Sequence, residues 1–444
     1  MGTGIGHYIP LLAYLGFWVM CLVSLAGRPL LGLYYMMPFL PYRTMRDHFM
    51  TYPLGANMLT ILVLAVILGA LIHGKKLPKS KLYIIWLIFG GYLYLSMWLG
   101  AALGNAPAPL WLSDVNFVMW KDYMVIPLVF VAAGMVVEDR KAVKMVVLIT
   151  AITLIFIDRS CIFESMSRSW TNFDESKRDF GPLAFGSNQT AAFLAQFALF
   201  FWGVTRFVKR WLLKLVGYGL VSITIFAAMY TFSRAGYLAI LFGALVLAIL
   251  KDRKLLILLA WFLLTWQTVV PTAVRQRVTM TKTANGQLED SAEERVLLWE
   301  DAERSILRSP IVGTGFGSYQ LGQHVASLKD THNWYVKVMV ETGLIGMAFA
   351  LALLQQMLAT SYRLFKRSSD PLYQGLGLGV LLAVCGCMVA NCFGDRWTIL
   401  EITGLLWVLV ATAIRASQFA ATEPIAESAR IDARVAVNPY LAYR

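Results

Sequence analysis

Residues 56–104 read ANMLTILVLAVILGALIHGKKLPKSKLYIIWLIFGGYLYLSMWLGAALG, a stretch with two apolar blocks and one basic cluster. The blocks cover residues 56–73 and 83–104, and the cluster between them contains several lysines. A helix needs about 20 apolar residues to cross the hydrocarbon core of a bilayer, which is about 30 Å thick. The stretch therefore predicts two membrane-spanning helices joined by a short basic connection.

The composition of the whole chain agrees with this pattern. Of its 444 residues, 58% are hydrophobic and 15% are charged, and the mean hydropathy is +0.62. Soluble domains carry about 25% charged residues. The composition excludes a soluble enzyme, a secreted disulfide scaffold and a disordered chain. The five cysteines lack the spacing of zinc or redox pairs, so we expect neither a metal site nor a disulfide framework.

Short basic clusters between the apolar blocks account for most of the net charge of +13. Positive loops mark the cytoplasmic side of a membrane, so these clusters predict the orientation. The N-terminal part has two interpretations, because residues 8–26 and 28–42 form either two spans or one span plus a partly inserted element. We favour an all-α polytopic protein of about 12 transmembrane helices, rather than 13, with both ends inside. The other predicted spans are 56–73, 83–104, 121–137, 144–158, 187–206, 213–232, 236–250, 255–271, 334–358, 374–394 and 398–416.

These spans divide the chain into four parts. Residues 1–271 form N-terminal transmembrane helices with an outer loop at about 158–186, and residues 272–331 form a large outer loop. Residues 332–416 form C-terminal transmembrane helices, and residues 417–444 form a cytoplasmic tail. Loops as long as the second one usually contain structure of their own or carry function.

An amphipathic helix is predicted inside the large loop, over residues 291–308. Ser291 and Glu294 have the spacing of a capping box, and Pro310 ends the pattern. Between the capping box and this proline, apolar residues recur at helical spacing, namely Val296, Trp299, Ala302 and Ile306. We expect this helix to lie on the outer face of the membrane domain.

His332 is a candidate catalytic residue, because it lies at the outer end of a predicted span. An imidazole there can accept a proton near physiological pH in a partly dehydrated cleft. The alternative is an interfacial histidine that only caps the helix start. Lys337 and Glu341 follow on one helix face and either line a polar cavity or form an ion pair with each other. Asp395, at another outer helix end, either orients a catalytic group or terminates its helix.

Arginines on the outer side form the second group of candidates, since positive charge there opposes the usual topological bias. Arg178 lies in the first outer loop, Arg234 lies between two apolar spans, and Arg295 lies on the predicted surface helix. A planar guanidinium suits a diphosphate. The alternative for each arginine is a solvated loop charge or a contact with lipid phosphate, although Arg234 is too closely flanked by apolar spans to fit it well.

Several of these residues together resemble the O-antigen ligase and O-antigen polymerase superfamily. His332-Asn333, nine residues and then Gly343-Leu-Ile-Gly346 resemble its histidine motif. Ser233-Arg234-Ala-Gly236 resembles its Ser-Arg-Gly turn, and Arg295 with the segment 310–317 resembles the part upstream of its histidine. The resemblance covers roughly residues 180–400.

The resemblance implies a polytopic glycosyltransferase of the C type in the bacterial inner membrane, with its active site facing the periplasm. Such an enzyme moves a glycan from undecaprenyl diphosphate to an acceptor, without metal or cofactor. His332 would then be the general base, and Arg234, Arg295 and Arg178 would bind the diphosphate. Asn333, Glu341 and Asp395 would support them.

The acceptor implied first is lipid A-core, which would make the protein an O-antigen ligase. A growing polymer or a protein acceptor would instead make it a polymerase or a protein O-oligosaccharyltransferase of the same superfamily. A transporter of polyprenyl lipids is the alternative from another class. It would account for Lys337 and Glu341 inside the membrane, but not for the long outer loop.

Overall fold

All regular elements in the described part of the chain are helices. The computed structural model describes residues 8–103, 106–166, 173, 178, 181–184, 186–280, 290–321 and 331–437. Side chains of residues 103, 290–294, 296 and 422–437 lie outside this description, so the predicted capping box at Ser291 and Glu294 is outside it too. The helices are α1 (Ile9–Leu25), α2 (Pro29–Met36), α3 (Arg43–Phe49), α4 (Met58–Ile72), α5 (Lys81–Leu103), α6 (Val115–Val136), α7 (Arg140–Met166), α8 (Ser187–Thr205), α9 (Trp211–Met229), α10 (Arg234–Leu250), α11 (Lys254–Val269), α12 (Thr272–Thr279), α13 (Asp290–Arg308), α14 (Ser318–Leu321), α15 (Trp334–Arg367), α16 (Pro371–Asn391) and α17 (Leu400–Val437).

Eight helices of the described chain are long and apolar enough to cross a membrane. They are α4, α5, α6, α7, α9, α15, α16 and α17. Helices α11 and α12 meet at a bend of 107° and give a ninth span if they are counted together. The chain is thus a polytopic helical membrane protein, whereas the number of 12 spans stays a prediction.

Helix α8 matches the span predicted at 187–206 but is less apolar than the eight helices above. It contains several polar residues, but most of its side chains are buried among other helices. The amide nitrogen of Gln196 donates to the carbonyl of Ile402 in α17 over 2.9 Å. Helix α8 also contacts α16 so closely that a Cβ atom at Gly203 would lie 2.7 Å from the Cα of Gly379. Helices α8 and α16 therefore form the centre of the bundle.

Apolar side chains on the outside of the bundle agree with a lipid environment. Helix α11 buries none of its residues within the described structure, and Leu264 on it is 85% exposed. Trp211 and Leu215 on α9 are also exposed. In water such surfaces would cost free energy, but lipid tails solvate them.

The N-terminal region consists of the 17-residue helix α1 followed by an interrupted element, and whether it makes one span or two stays a prediction. Helix α2 has 8 residues, ends in a short 3-10 turn at Met37–Phe39, and is followed by the 7-residue helix α3. Neither is long enough to cross a bilayer alone. Pro29 begins α2, because proline fits the first helical turn but not the interior of a helix.

Two helices extend beyond the boundaries expected from the sequence. Helix α7 continues to Met166, past the predicted start of the first outer loop at 158. Helix α17 continues to Val437, past the predicted start of the tail at 417. By contrast, the helix predicted over 291–308 is confirmed as α13. Whether 158–186 and 272–331 lie outside the membrane stays a prediction.

Candidate functional site

His332 lies in a strained turn immediately before α15. Its φ is +52°, a left-handed conformation that residues other than glycine seldom adopt. The next residue, Asn333, caps the helix, because its side-chain oxygen accepts hydrogen bonds from the backbone nitrogens of Tyr335 and Val336 at 3.0 and 3.3 Å. On the other side, the hydroxyl of Thr331 donates to the carbonyl of Asn333 over 2.8 Å. These contacts hold the turn in place.

Helix α13 also contacts the His332 turn. The indole nitrogen of Trp299 donates to the carbonyl of Thr331 over 2.9 Å. Arg295 precedes Trp299 by one helical turn, so the two side chains leave α13 on the same face. Arg295 is therefore placed on the side of α13 that faces the His332 turn.

Apolar contacts fix α13 against α15. Trp299 belongs to the edge of the contact, because it is 43% exposed, whereas Leu298 and Ala302 are fully buried. The hydroxyl of Tyr319 in α14 donates to the carbonyl of Leu298 over 2.8 Å. The core of this contact consists of Leu298, Ala302, Tyr319 and Val340, with Ile306 and Val336 packed against it.

Helix α15 is broken at Gly343, which has φ +61° and ψ −162°. Four backbone hydrogen bonds between the helix and the loop after α13 satisfy the main-chain groups that the break leaves unpaired. Thr314 and Gly315 donate to the carbonyls of Val340 and Glu341 at 2.9 and 2.8 Å. Leu344 and Ile345 donate to the carbonyls of Pro310 and Ile311 at 2.9 and 3.2 Å. Non-helical backbone within a membrane protein needs such internal partners.

The surroundings of the two glycines of α15 differ from those of a small-residue helix-packing motif. The spacing of Gly343 and Gly346 suggests close approach by a neighbouring helix. At Gly343 the close neighbour is instead the loop, because an added Cβ atom would lie 2.3 Å from the carbonyl oxygen of Ile311. At Gly346 the nearest atom is the hydroxyl of Thr342 in the same helix.

The loop at 310–317 is itself held by helix α5. Gly313, Gly315 and Gly317 all have positive φ, so the backbone turns closely at all three positions. The hydroxyl of Tyr92 donates to the carbonyls of Val312 and Thr342 at 3.2 and 2.9 Å, and so joins loop to helix. The hydroxyl of Ser96 accepts from the backbone nitrogen of Phe316 over 3.1 Å.

Lys337 and Asp395 form a buried ion pair below the His332 turn. The Lys337 nitrogen donates to Asp395 over 3.0 Å. Asp395 also accepts hydrogen bonds from the backbone nitrogens of Trp397 and Thr398, each at 3.1 Å. Burial alone raises the pKa of the Asp395 carboxyl, but Lys337 and the hydrogen bonds from Thr398 hold that pKa below its ordinary value.

A cavity of about 380 Å³ lies beside this ion pair. Lys337 lines it, as do Asp122 and Tyr123 of α6. Arg46 and Glu401, which are bonded to each other, line another part of it. The cavity combines charges of both signs with aromatic rings. Lys337 thus meets the expectation of a residue that lines a polar cavity.

Three arginines surround the turn between α9 and α10. The carbonyl of Thr231 accepts from Arg178 over 3.2 Å, and the carbonyl of Phe232 accepts from Arg277 over 3.4 Å. Phe232 has φ +52°, so this turn is also strained. Arg234 begins α10 directly after it. The structure therefore brings two arginines predicted from the sequence, Arg178 and Arg234, to one turn.

Arg277 is the member of this group that the sequence did not single out. It is buried on α12 with 5% exposure, and its guanidinium lies 5.0 Å from the ring centre of Phe173. Arg234 reaches the end of the same helix, because it donates to the carbonyl of Met280 over 3.0 Å. Pro271, which directly precedes α12, was the available signal for a helix there.

The comparison with known families adds to this geometry. Residues 219–351 match the family model described as O-antigen ligase. The matched segment includes Arg234, Arg277, Arg295 and His332. No curated protein matches the chain. The family supports a membrane enzyme that processes glycans, with an activity of the O-antigen ligase or polymerase type. Residues 219–351 are thus similar to the O-antigen ligase family, which confirms the resemblance of the chain to the O-antigen ligase and polymerase superfamily.

Proposed function

We propose that the protein is an O-antigen ligase that transfers a glycan from undecaprenyl diphosphate to lipid A-core. The reaction takes place at the periplasmic face of the bacterial inner membrane and requires no metal. One observation carries the proposal: the strained turn of His332 is bonded to Trp299, one helical turn after Arg295. A base and a diphosphate-binding group are thus attached to one rigid unit.

In the proposed reaction His332 accepts the proton of an acceptor hydroxyl. The hydroxyl oxygen attacks the anomeric carbon, a new carbon–oxygen bond forms, and the bond to the diphosphate breaks. The diphosphate leaves with the bonding electrons, and the configuration of the anomeric carbon is inverted. The left-handed backbone favours this role, because strain of this kind persists where surrounding contacts fix one side-chain direction.

Arg234, Arg295 and Arg178 bind the diphosphate, and Arg277 joins them. The leaving group gains negative charge as the glycosidic bond breaks. Fixed guanidinium groups therefore stabilise the transition state more than the ground state. In the structure Arg178 and Arg277 bond to neutral carbonyl oxygens. A phosphate is a stronger acceptor, so a bound donor lipid can replace these contacts.

The remaining candidates, Asn333, Asp395 and Glu341, stabilise the helix that follows His332. Asn333 fixes the helix start as its cap, and Asp395 holds Lys337 in α15. Glu341 is buried one turn after Lys337 in α15, and Gly315 donates to its backbone carbonyl. We assign the cavity beside Lys337 to the sugars nearest the reacting bond, because carboxylates and aromatic rings both bind neutral polar rings.

The first experiment replaces His332 with Ala in protein reconstituted with undecaprenyl-diphosphate-linked glycan and lipid A-core. Transfer should fall by about 10²- to 10⁴-fold, since this is the usual contribution of a general base. The matched control is His73→Ala, at the end of α4, whose ring bonds to the carbonyl of Gly69 in its own helix. Near-normal transfer by a folded His332→Ala protein contradicts the proposal, and so does loss of transfer on chelation of metals.

The second experiment separates the possible acceptors. The wild-type protein receives the same donor with lipid A-core, with a second lipid-linked repeat, or with an acceptor protein. A ligase modifies only lipid A-core, whereas products in the other arms identify a polymerase or a protein O-oligosaccharyltransferase. Movement of the donor lipid across sealed vesicles without transfer would identify a transporter instead.

A further inference from the structure

A basic cavity of about 790 Å³ lies at the end of the bundle opposite His332. Lys81 at the start of α5 and Lys79 just before it line the cavity. Arg363 and Arg367 line it from the last turns of α15. Helix α17 closes it with Ser417 and neighbouring residues. No aspartate or glutamate is among the described residues that line this cavity. The part of the lining that the structure describes therefore carries four positive charges and no negative one.

The positive charges of this cavity are not neutralised by the described protein. None of the four side chains forms an ion pair with another described residue. Within the described residues, Arg363 donates to the carbonyl of Ala359, at 3.2 Å, one turn back in its own helix. The nearby Asp370 is bonded to Arg140 outside the cavity. Burial alone raises the pKa of the Asp370 carboxyl, but Arg140 and the backbone nitrogen of Leu372 hold that pKa below its ordinary value. Closely spaced like charges repel each other, so an anion between them stabilises the arrangement.

Hydroxyl and amide groups complete the lining, among them Ser80, Thr360 and Ser417. Together with two guanidinium groups they offer many hydrogen-bond donors in a small volume. Phosphate oxygens accept such bonds from arginine in pairs. The lining thus has the chemistry of a site for phosphate esters.

An apolar depression of about 490 Å³ continues from the basic cavity. The two share Lys79, Ser80 and Lys81. Beyond these residues the depression is lined by Leu77, Pro78, Tyr83 and Ile84. Ile84 is 60% exposed and lies at the bundle surface. A ligand with a phosphate headgroup and a hydrocarbon chain fits both parts, whereas a free phosphate uses only the first.

We propose that this cavity binds an anionic phospholipid, with its phosphate headgroup among the four cations and an acyl chain along Leu77 and Ile84. A lipid with two phosphates, such as diphosphatidylglycerol, matches the four charges best. The basic clusters that orient the protein in the membrane therefore also form a lipid site. Basic pockets between helices on the cytoplasmic side are known to bind such headgroups. The inference does not depend on the proposed transferase chemistry.

The test measures lipid binding to the purified full-length protein by native mass spectrometry. The ligands are diphosphatidylglycerol, phosphatidylcholine as a neutral lipid, and inorganic pyrophosphate as a free anion. The cavity variant combines Lys81→Gln, Arg363→Gln and Arg367→Gln. The control variant combines Lys144→Gln, Arg253→Gln and Lys254→Gln, three exposed basic residues in other connections of the same predicted face. Both variants remove the same charge, so effects on topology are matched.

We expect the cavity variant to bind diphosphatidylglycerol at least about tenfold more weakly than the control variant. Each basic residue near a charged lipid surface changes the affinity about fivefold, so the loss of three such residues should weaken binding by more than about tenfold. Phosphatidylcholine should bind equally to both variants. Equal loss in both variants, or equal retention of diphosphatidylglycerol, overturns the site. Binding of pyrophosphate with the same affinity as the lipid overturns the assignment to a lipid and identifies a soluble anion.

Discussion

The break in α15 and the turn before α10 both expose main-chain carbonyl groups, but they satisfy them differently. At the break, Val340 and Glu341 accept hydrogen bonds from backbone nitrogens of the 310–317 loop. At the turn, Thr231 and Phe232 accept hydrogen bonds from the side chains of Arg178 and Arg277. A backbone donor cannot leave without unfolding its loop. An arginine can change its partner by rotating a side chain.

This difference separates a fixed region of the candidate site from an exchangeable one. The fixed region comprises α13, the 310–317 loop and the first half of α15, and it holds the His332 turn. The exchangeable region comprises the arginines at the turn 231–234. Enzymes that stabilise a developing charge need both, because precise position and available donors are separate requirements.

The largest expected effect is on the fixed region, through Gly343→Ala. The substitution places a Cβ atom 2.3 Å from the carbonyl oxygen of Ile311, at a backbone φ of +61° that alanine disfavours. We expect a loss of at least about 4 kcal/mol in unfolding free energy, because neither the loop nor the helix can yield. Thermal unfolding in detergent measures it.

The control for this prediction is Gly91→Ala in α5, where an added Cβ atom meets no other atom within 4 Å. It should leave the melting temperature unchanged or slightly higher, since alanine favours a helix. Equal melting temperatures of the two variants would mean that the break in α15 adds no rigidity.

The second prediction concerns the ion pair that joins α15 to the loop before α17. Lys337→Met leaves the buried carboxylate of Asp395 without its cation and should cost about 3–5 kcal/mol of stability. Adding Asp395→Asn to this variant removes the uncompensated charge, so the double variant should recover part of the loss. Failure of the double variant to recover any stability would show that charge is not the cause.

The pH dependence of stability provides a check on the same pair. Asp395 has a lowered pKa in the folded protein. Its contribution to stability is therefore complete above the ordinary pKa of a carboxyl and is lost as the pH falls through the lowered value. Asp395→Asn should flatten acid unfolding in this range compared with the wild-type protein. An unchanged acid profile contradicts the assignment.

The third prediction addresses the exchangeable region, with Arg277→Lys. A lysine keeps the charge but not the planar fork, so kcat/KM should fall about tenfold to a hundredfold while the melting temperature changes little. Arg275→Lys, on the same helix with a bond to Thr272, is the matched control and should stay active. Similar activity of both variants would remove Arg277 from the diphosphate site.

The smallest expected effect lies on the link between α13 and the His332 turn. Trp299→Phe keeps the ring but removes the hydrogen bond to Thr331, which is worth about 1 kcal/mol. Transfer should fall by a few-fold, with KM for the donor less affected than kcat. Trp111→Phe, at an exposed tryptophan, should have no effect. Normal kcat in Trp299→Phe would show that α13 does not position the turn.

Local signals explain which features could be predicted from the sequence. Helix α13 was predicted nearly to the residue, because Pro310 follows it and apolar residues recur along it. Asn333 is a typical helix cap, and the glycines of the 310–317 loop adopt the positive φ that only glycine adopts freely. Each of these features depends on residues a few positions apart.

The features that escaped prediction join distant parts of the chain. The partner of Lys337 is Asp395, 58 residues further on. The break at Gly343 requires hydrogen-bond donors from a loop that precedes the helix. The spacing of Gly343 and Gly346 gives no sign of it, because helix-packing motifs have the same spacing. Arg277 acquires its position only when α12 folds back across the turn at Phe232.

The contact between α8 and α16 bears on how such a protein can move. Alternating access in a transporter requires one half of the molecule to rock against the other. Here the rocking would have to separate Gly203 from Gly379, where the two backbones approach too closely for even one added carbon atom. A transferase needs motion only at one end of its helices, around the bound donor. The tight centre therefore suits an enzyme whose substrates enter and leave on the same side.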